Sequence, residues 1–289
     1  MKVYVTGGTG FVGSHLSHKL AWAGHEVTLG GLSTDSPIEL PEDAEIERID
    51  VTDPDTLDFE GFDAVIHLVG LSPLFKPNVS YHRIHVEGTE NVLQACREAG
   101  VNRYIHMSAL GADPGAETQY LWTKGEAEDA VKNSGLDWTV FRPSVIFGEG
   151  GEFLNFTESI LTPFIAALPR SNPGFQPLYV EDIGDLFVEA VEDEKHIRQS
   201  YDLGGPEAYS LKEIAEMIEA SKGRNLTALP LPMTMVKAGM TLSDKLGLKF
   251  GMDQYRSLKK DNIPDKNDVD AFRKNVEKMK NLEQYLGLE

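Results

Sequence analysis

Residues 2–6, KVYVT, pass straight into GGTGFVG and then into the helix-patterned stretch FVGSHLSHKLAWAG. Nothing else in the 289 residues constrains the fold as tightly. A glycine turn that closes one strand and opens one helix fixes the order strand, turn, helix at the start of the chain. Gly7, Gly10 and Gly13 stand three apart. In that setting glycines let the backbone turn tightly and approach a pyrophosphate, whose charge a helix N-terminus favours. With Phe11 and Val12 they form the expected cofactor cradle, against the alternative of a purely structural turn.

The same alternation continues downstream. Apolar, β-rich runs (HEVTLGG, AEIERID, DAVIHLVG, NRYIHMSAL, DWTVFRPSVIFG) are interleaved with helical patterns over YHRIHVEGTENVLQACREAG and from about Glu117 to Ser134. Such runs predict a parallel sheet buried on both faces, hence an α/β, doubly wound domain. It is expected over residues 1–148, with 176–205 returning to it. Residues 149–175 and 206–289 are expected to form a smaller, mostly helical C-terminal lobe, including a helix over FLNFTESILTPFIAAL.

Charge excludes some partners. Lys plus Arg number 27 and Asp plus Glu 46, a net charge of −19, which disfavours nucleic acid and anionic membranes. The acids are scattered, as on a solvated acidic surface, and such a surface suits concentrated (halophilic) salt, where screening shortens self-repulsion. No run of about 18 apolar residues predicts a transmembrane helix. The start of the chain is unlike a signal peptide, so the expected compartment is the cytoplasm. Cys96 stands alone, which excludes an internal disulfide. His15 and His18 share a helix face without an acidic or Cys partner, so no metal site is expected. His67 and His106 read as core histidines, and PMTMVKAGM as core or lid packing.

The second strand should end in the residue that reads the adenosine ribose, an acid for NAD or an Arg for NADP. Here VTLGGLSTDS places Gly30, Gly31 and Leu32 there, followed by Ser33, which can bond a hydroxyl or a phosphate. Without an acid at the strand end the expectation is NADP ahead of NAD; Asp35 is either a displaced ribose acid or a surface loop residue. Asp50 and Val51, after the third strand, are placed to meet the adenine, Asp50 alternatively serving as a cap or turn residue. Tyr120 and Lys124 lie four apart on a helix, one turn along one face. With Ser108 at a strand end, all three can meet at the carboxyl edge of the sheet.

In these motifs, VTGGTGFVGSHL, VEGTENVLQACREAGVNRYIHMSALGA, YLWTKGEAE, LDWTVFRPSVIFG and PLYVEDIGDLFVEAV in that order, the chain resembles the extended or atypical short-chain dehydrogenase/reductases. It is most similar to the family of the nucleotide-binding accessory subunit of respiratory complex I, over residues 1–205. The resemblance implies a Rossmann fold with Tyr120 as proton donor or acceptor, and Lys124 lowering the phenol pKa and holding the nicotinamide ribose. It further implies Ser108 orienting a substrate oxygen, Pro143 and Ser144 beneath the nicotinamide, and Asp182 as a helix N-cap. Two departures stand beside it. Ala109 follows Ser108 where such enzymes carry consecutive serines, and His85 replaces a frequent Asn, either as a proton shuttle or as a polar contact to the sheet. The expected function is an oxidoreductase or epimerase/dehydratase-like enzyme acting on a small-molecule substrate. The alternative is a non-catalytic dinucleotide-binding subunit, associated with a respiratory complex. A homodimer is expected equally with a monomer.

Overall fold

The computed structural model describes residues 1–74, 77–159, 161, 165–248 and 250–288. At its centre lies β1 (Lys2–Thr6), in a parallel sheet with β2 (Glu26–Gly31), β3 (Glu45–Arg48), β4 (Ala64–His67), β5 (Arg103–Met107), β6 (Asp137–Pro143) and the strand Gln199–Leu203. From one edge the order is Gln199–Leu203, β6, β5, β4, β1, β2, β3, every pairing parallel.

Side-chain alternation builds the two layers that cover this sheet. Val3, Val5 and Ile66 point to the face packed by α1 (Phe11–Trp22) and α5 (Val180–Glu192), meeting Leu16, Leu20, Ile183 and Phe187. Tyr4, Val65 and Tyr104 point the other way, to α2 (Gly88–Ala99) and α3 (Gln119–Lys132), meeting Val92, Leu93 and Val131. The helix expected over YHRIHVEG begins with a π turn, Arg83–Glu87, that runs into α2.

From β1 the chain steps outward to β2 and β3, then returns to β4 on the opposite side. Order therefore reverses between β1 and β4, the place where open α/β sheets carry a ligand crevice beyond the strands' carboxyl ends. The loops there touch closely: a Cβ on Gly7 would lie 3.0 Å from the Val69 amide nitrogen.

The smaller lobe contains α4 (Glu152–Ser159), α6 (Leu211–Ser221), α7 (Met233–Lys245) and α8 (Met252–Ser257), with a parallel pair, Ile165–Pro169 beside Thr227–Leu231. IAALP is thus a strand and not the end of a helix, because it finds a partner 62 residues on. Residues 160 and 162–164 of that expected helix lie outside the described residues.

Beyond α8 the chain turns back over the sheet. Val269, Phe272 and Met279 enter the α1/α5 core, and Asn267 Nδ2 donates to the Gly204 carbonyl at 2.8 Å. The short α9 (Leu282–Leu286) packs near α6. Asp182 is the third residue of α5, whose N-cap is Tyr179, so the expected capping role is corrected. Its carboxylate instead accepts from the Lys280 amide at 2.8 Å and pairs with Lys274 at 2.6 Å. Among the described residues, no helix is long and apolar enough to cross a membrane.

Candidate active site

The turn after β1 is held by its own backbone. Gly7, at φ +76°, and Gly8 donate to the Gly30 carbonyl at 2.8 and 3.0 Å. A Cβ on Gly13 would come within 2.4 Å of the Gly7 carbonyl oxygen, so only glycine lets α1 start this close to the strand. Gly10 is the N-cap of α1, with no side-chain cap and no acid in the first turn. The amides of Phe11, Val12 and Gly13 therefore have neither an intrahelical acceptor nor a cap. Such an end fits the two phosphates of a dinucleotide. Gly7, Gly10, Phe11, Val12 and Gly13 line one cleft of about 1700 Å³.

At one end of the cleft lie Ser33, Asp35, Asp50 and Val51. Gly31 is glycine for packing: a Cβ there would lie 2.2 Å from Thr9 Oγ1, which donates to the Ser33 carbonyl. The Ser33 hydroxyl donates to Asp35 Oδ2 at 3.0 Å. Asp50 Oδ1 accepts from the amide and hydroxyl of Thr52 at 2.9 and 2.8 Å, so it shapes a turn while lining the cleft. Val51 is buried, and its Cγ2 leaves no room for a side chain at Gly88.

Tyr120 and Lys124 line the same cleft. Lys124 is 3% exposed, and its ammonium donates to the Met107 carbonyl at 3.1 Å. Burial holds its pKa down to about 8, with Glu128 pulling the other way. Tyr120 is half-buried, its ring edge-on to Tyr81 and His85 at 5.9 and 5.6 Å. Burial, and then Tyr81, push its phenol well above the usual range.

His85 Nε2 accepts from the Leu71 amide at 3.0 Å, which assigns the proton to Nδ1, 2.9 Å from Thr123 Oγ1. Burial first, then Lys124 and His67, hold it down to about 2. Both nitrogens of this neutral ring are engaged in joining the loop after β4 to α3, so its polar contacts run to loop and helix and not to the sheet.

Ser108 also lines the cleft, yet its Oγ is enclosed and lies toward the Glu128 carboxylate, which it helps to hold ionised. It follows the alternation of Tyr104 and His106 toward α3, where Glu128 is held by Arg142 and Lys132. That orientation does not present the hydroxyl to a substrate. Pro143 lines the cleft, as does Ser144, whose hydroxyl lies 2.7 and 2.8 Å from the carbonyl and side-chain oxygens of Asn262. Asn262 Oδ1 also accepts from the Val145 amide at 3.0 Å. Asn262 is a residue that sequence reasoning missed, since it acts across 118 positions and carries no local signature.

Elsewhere the histidines divide. His67 is satisfied by Thr6 Oγ1 at 2.6 Å and Thr89 Oγ1 at 3.2 Å. His106, stacked on it at 5.4 Å, has no partner for either nitrogen. His15 bonds Glu181 and the Glu149 carbonyl, while His18 bonds the Glu39 carbonyl, so the pair does not converge. Glu189, Asp193 and His196 do cluster, but Lys195 already pairs with both carboxylates at 2.7 and 3.3 Å.

Comparison with known proteins places this geometry. The profile of the NAD dependent epimerase/dehydratase family matches residues 3–204. The chain is 25% identical over 240 residues to the mitochondrial NADH-ubiquinone oxidoreductase 40 kDa subunit of Neurospora crassa, covering 81% of this chain and 63% of that one. It is 33% identical over 177 residues to the 2-alkyl-3-oxoalkanoate reductase of Stenotrophomonas maltophilia, covering 53% of each. The chain thus spans less than two thirds of the length of these relatives. Among solved structures, the Thermus thermophilus UDP-glucose 4-epimerase in complex with NAD superposes with a TM-score of 0.64 at 22% identity, over 80% of this chain and 86% of that one.

Proposed function

The chain belongs to the NAD-dependent epimerase/dehydratase family of NAD(P)-binding proteins, and from that premise we propose an oxidoreductase-like enzyme in which Tyr120 exchanges a proton with a small-molecule carbonyl or alcohol. One observation carries the reading: Tyr120 and Lys124 open onto the same cleft as the uncapped start of α1. Phe11, Val12 and Gly13 would hold the phosphates, Asp50 and Val51 the adenine end, and Lys124 the nicotinamide ribose. When bound, the dinucleotide supplies hydride-transfer chemistry. Lys124 is held one turn below the phenol on α3, and positive charge there favours the phenolate that a general base at neutral pH requires. Ser108 is given no contact with substrate, because its Oγ is enclosed.

For the coenzyme, the reading moves from NADP to NAD. Asp35 lines the cleft and already accepts from Ser33, so it supports binding of a ribose 2′-hydroxyl and opposes a 2′-phosphate. The net charge of −19 supports function in concentrated salt; a folded state no more stable at high salt than at low would count against that.

A second reading is a non-catalytic dinucleotide-binding subunit of a respiratory-type assembly. It is supported by Ala109 in place of a hydroxyl, by the enclosed Ser108, and by a phenol pushed up by its surroundings. Calorimetric titration with NADH and NADPH, followed by Tyr120→Phe, separates the two. The enzyme reading expects turnover to vanish with NADH affinity nearly intact. Wild-type protein that binds NADH but reduces none of a panel of ketones and aldehydes would favour the subunit.

A further inference from the structure

We propose that the substrate half of the cleft takes a neutral, elongated, apolar molecule with one reactive oxygen, and not a diphosphate-linked or other polyanionic one. This rests on the reading above, in which the dinucleotide fills the cradle side and the nicotinamide lies against Tyr120 and Lys124.

Space comes first. A cleft of about 1700 Å³ exceeds the roughly 300–1,000 Å³ of a single small-molecule site, so a dinucleotide leaves room for a second molecule. The walls of that room are apolar. Phe153 and Phe156 come from α4, and Met235, Val236 and Met240 from α7. Phe250 closes the far side, its ring 6.0 Å from that of Phe156. Val236, Gly239, Met240 and Ser243 recur at helical spacing, so one face of α7 lines the cleft. Protein covers that face only in part: Val236, Met240 and Ser243 are half-buried, α7 has no fully buried residue, and Met235 beside them is 61% exposed. Burying such a surface is the contribution an apolar ligand would make. Methionines, flexible at three torsions, adapt to chains of varied shape.

Charge points the same way. Among the described residues beyond Pro143 that line the cleft, the cations are Arg256 and Lys260, and the acids are Glu152, Asp202, Asp261 and Asp265. Arg256 is turned to Asp253 at 3.3 Å. With the α1 amides taken by the dinucleotide, a second diphosphate would draw on paired, bidentate guanidinium groups, which this wall does not provide, and the chain's −19 charge adds repulsion. Polar groups that could grip a carbonyl lie at the Tyr120 and Lys124 end, which fits one reactive oxygen.

The test uses the full chain and displacement of Nile red by 2-pentanone, 2-nonanone and 2-tridecanone, with and without NADH, and by UDP-glucose. Affinity should rise about fourfold per added methylene, the ratio equivalent to about 0.8 kcal/mol, and UDP-glucose should not compete. Met240→Glu, on a helix with no buried side chain, should weaken 2-tridecanone at least tenfold and leave NADH affinity unchanged. A flat chain-length series, competition by UDP-glucose, or no displaceable Nile red would overturn the proposal. Failure of NADH to bind would instead remove the coenzyme reading, and the ketone series without NADH would still report on the wall.

Discussion

Lys124 and Met107 join α3 to the sheet: the ammonium on α3 donates to the carbonyl that ends β5 at 3.1 Å. Gly70 gives the ammonium room, since a Cβ there would lie 3.0 Å from the Lys124 nitrogen and press on it. A buried cation is thus placed at the crevice between strand ends, with its charge made costly by burial and only partly offset by Glu128.

That cost gives Lys124 a pH signature. Its pKa of about 8 means that the ammonium is present below that pH and lost above it. If Lys124 holds the nicotinamide ribose, NADH affinity should be level between pH 6.5 and 7.5. It should then fall roughly tenfold by about pH 9, consistent with losing a charge-assisted hydrogen bond of about 1.5–3 kcal/mol. Lys124→Ala should bind weakly and without the fall. An affinity level through pH 9 in wild type would remove Lys124 from the coenzyme site.

Three buried histidines should make the fold acid-sensitive. Burial, with Lys124 nearby, holds His67 down to about 3 and His85 to about 2, and His106 is lowered as well. In the unfolded chain each titrates near its ordinary 6.5. Stability is therefore intact above that pH and falls as protons bind preferentially to the unfolded state. Between pH 7.5 and 5.5 each should cost about 1.4 kcal/mol, roughly 4 kcal/mol together. His106→Phe should recover about a third of the loss, and should add about 1 kcal/mol at pH 7.5 by removing a ring whose nitrogens lack partners. Urea midpoints at the two pH values decide it; equal midpoints in wild type would refute the linkage.

The glycines of the first turn should separate folding from binding. At Gly13 an added methyl meets the Gly7 carbonyl at 2.4 Å and the Gly8 backbone at 2.6 Å, so Gly13→Ala should destabilise by about 1–3 kcal/mol or more. At Gly10 it meets only the Gly7 carbonyl at 3.2 Å, and the backbone, at φ −79°, accepts alanine. Gly10→Ala should melt close to wild type yet lose dinucleotide affinity at least tenfold, because its methyl would intrude where phosphate meets amides. Calorimetry beside thermal melts separates these outcomes. Tight NADH binding by Gly10→Ala would move the phosphates elsewhere.

The sheet and its glycine turn were legible in sequence because they rest on local order: period-two apolar runs, helical spacing, and a turn where strand meets helix. Tyr120 and Lys124 were legible for the same reason, one turn apart. Ser108 was legible as a strand-end residue of the cleft, but the direction of its hydroxyl was not, because that depends on register, which sets it with Tyr104 and His106 on the α3 side. The tail was illegible because its contacts are long-range bonds such as Asn262 to Ser144 and Asn267 to Gly204. Its one local sign was the repeated Asn at helix starts: Asn267, Asn275 and Asn281 each cap a short turn.

Asp182 tests how far that tail is part of the main fold. It is 8% exposed and accepts from the Lys280 amide at 2.8 Å, while Lys274 bridges it to Asp185. Asp182→Ala leaves a part-buried amide without its acceptor and a cation without one of its two acids, at a cost of about 1.5–3 kcal/mol. The loss should be local first. Limited proteolysis should cut between about residues 265 and 282 several times faster, before the sheet itself unfolds. Asp182→Asn, which keeps an acceptor but no charge, should fall between the two. Should Asp182→Ala resist protease as wild type does, the apolar seating of Val269, Phe272 and Met279 holds the tail without it.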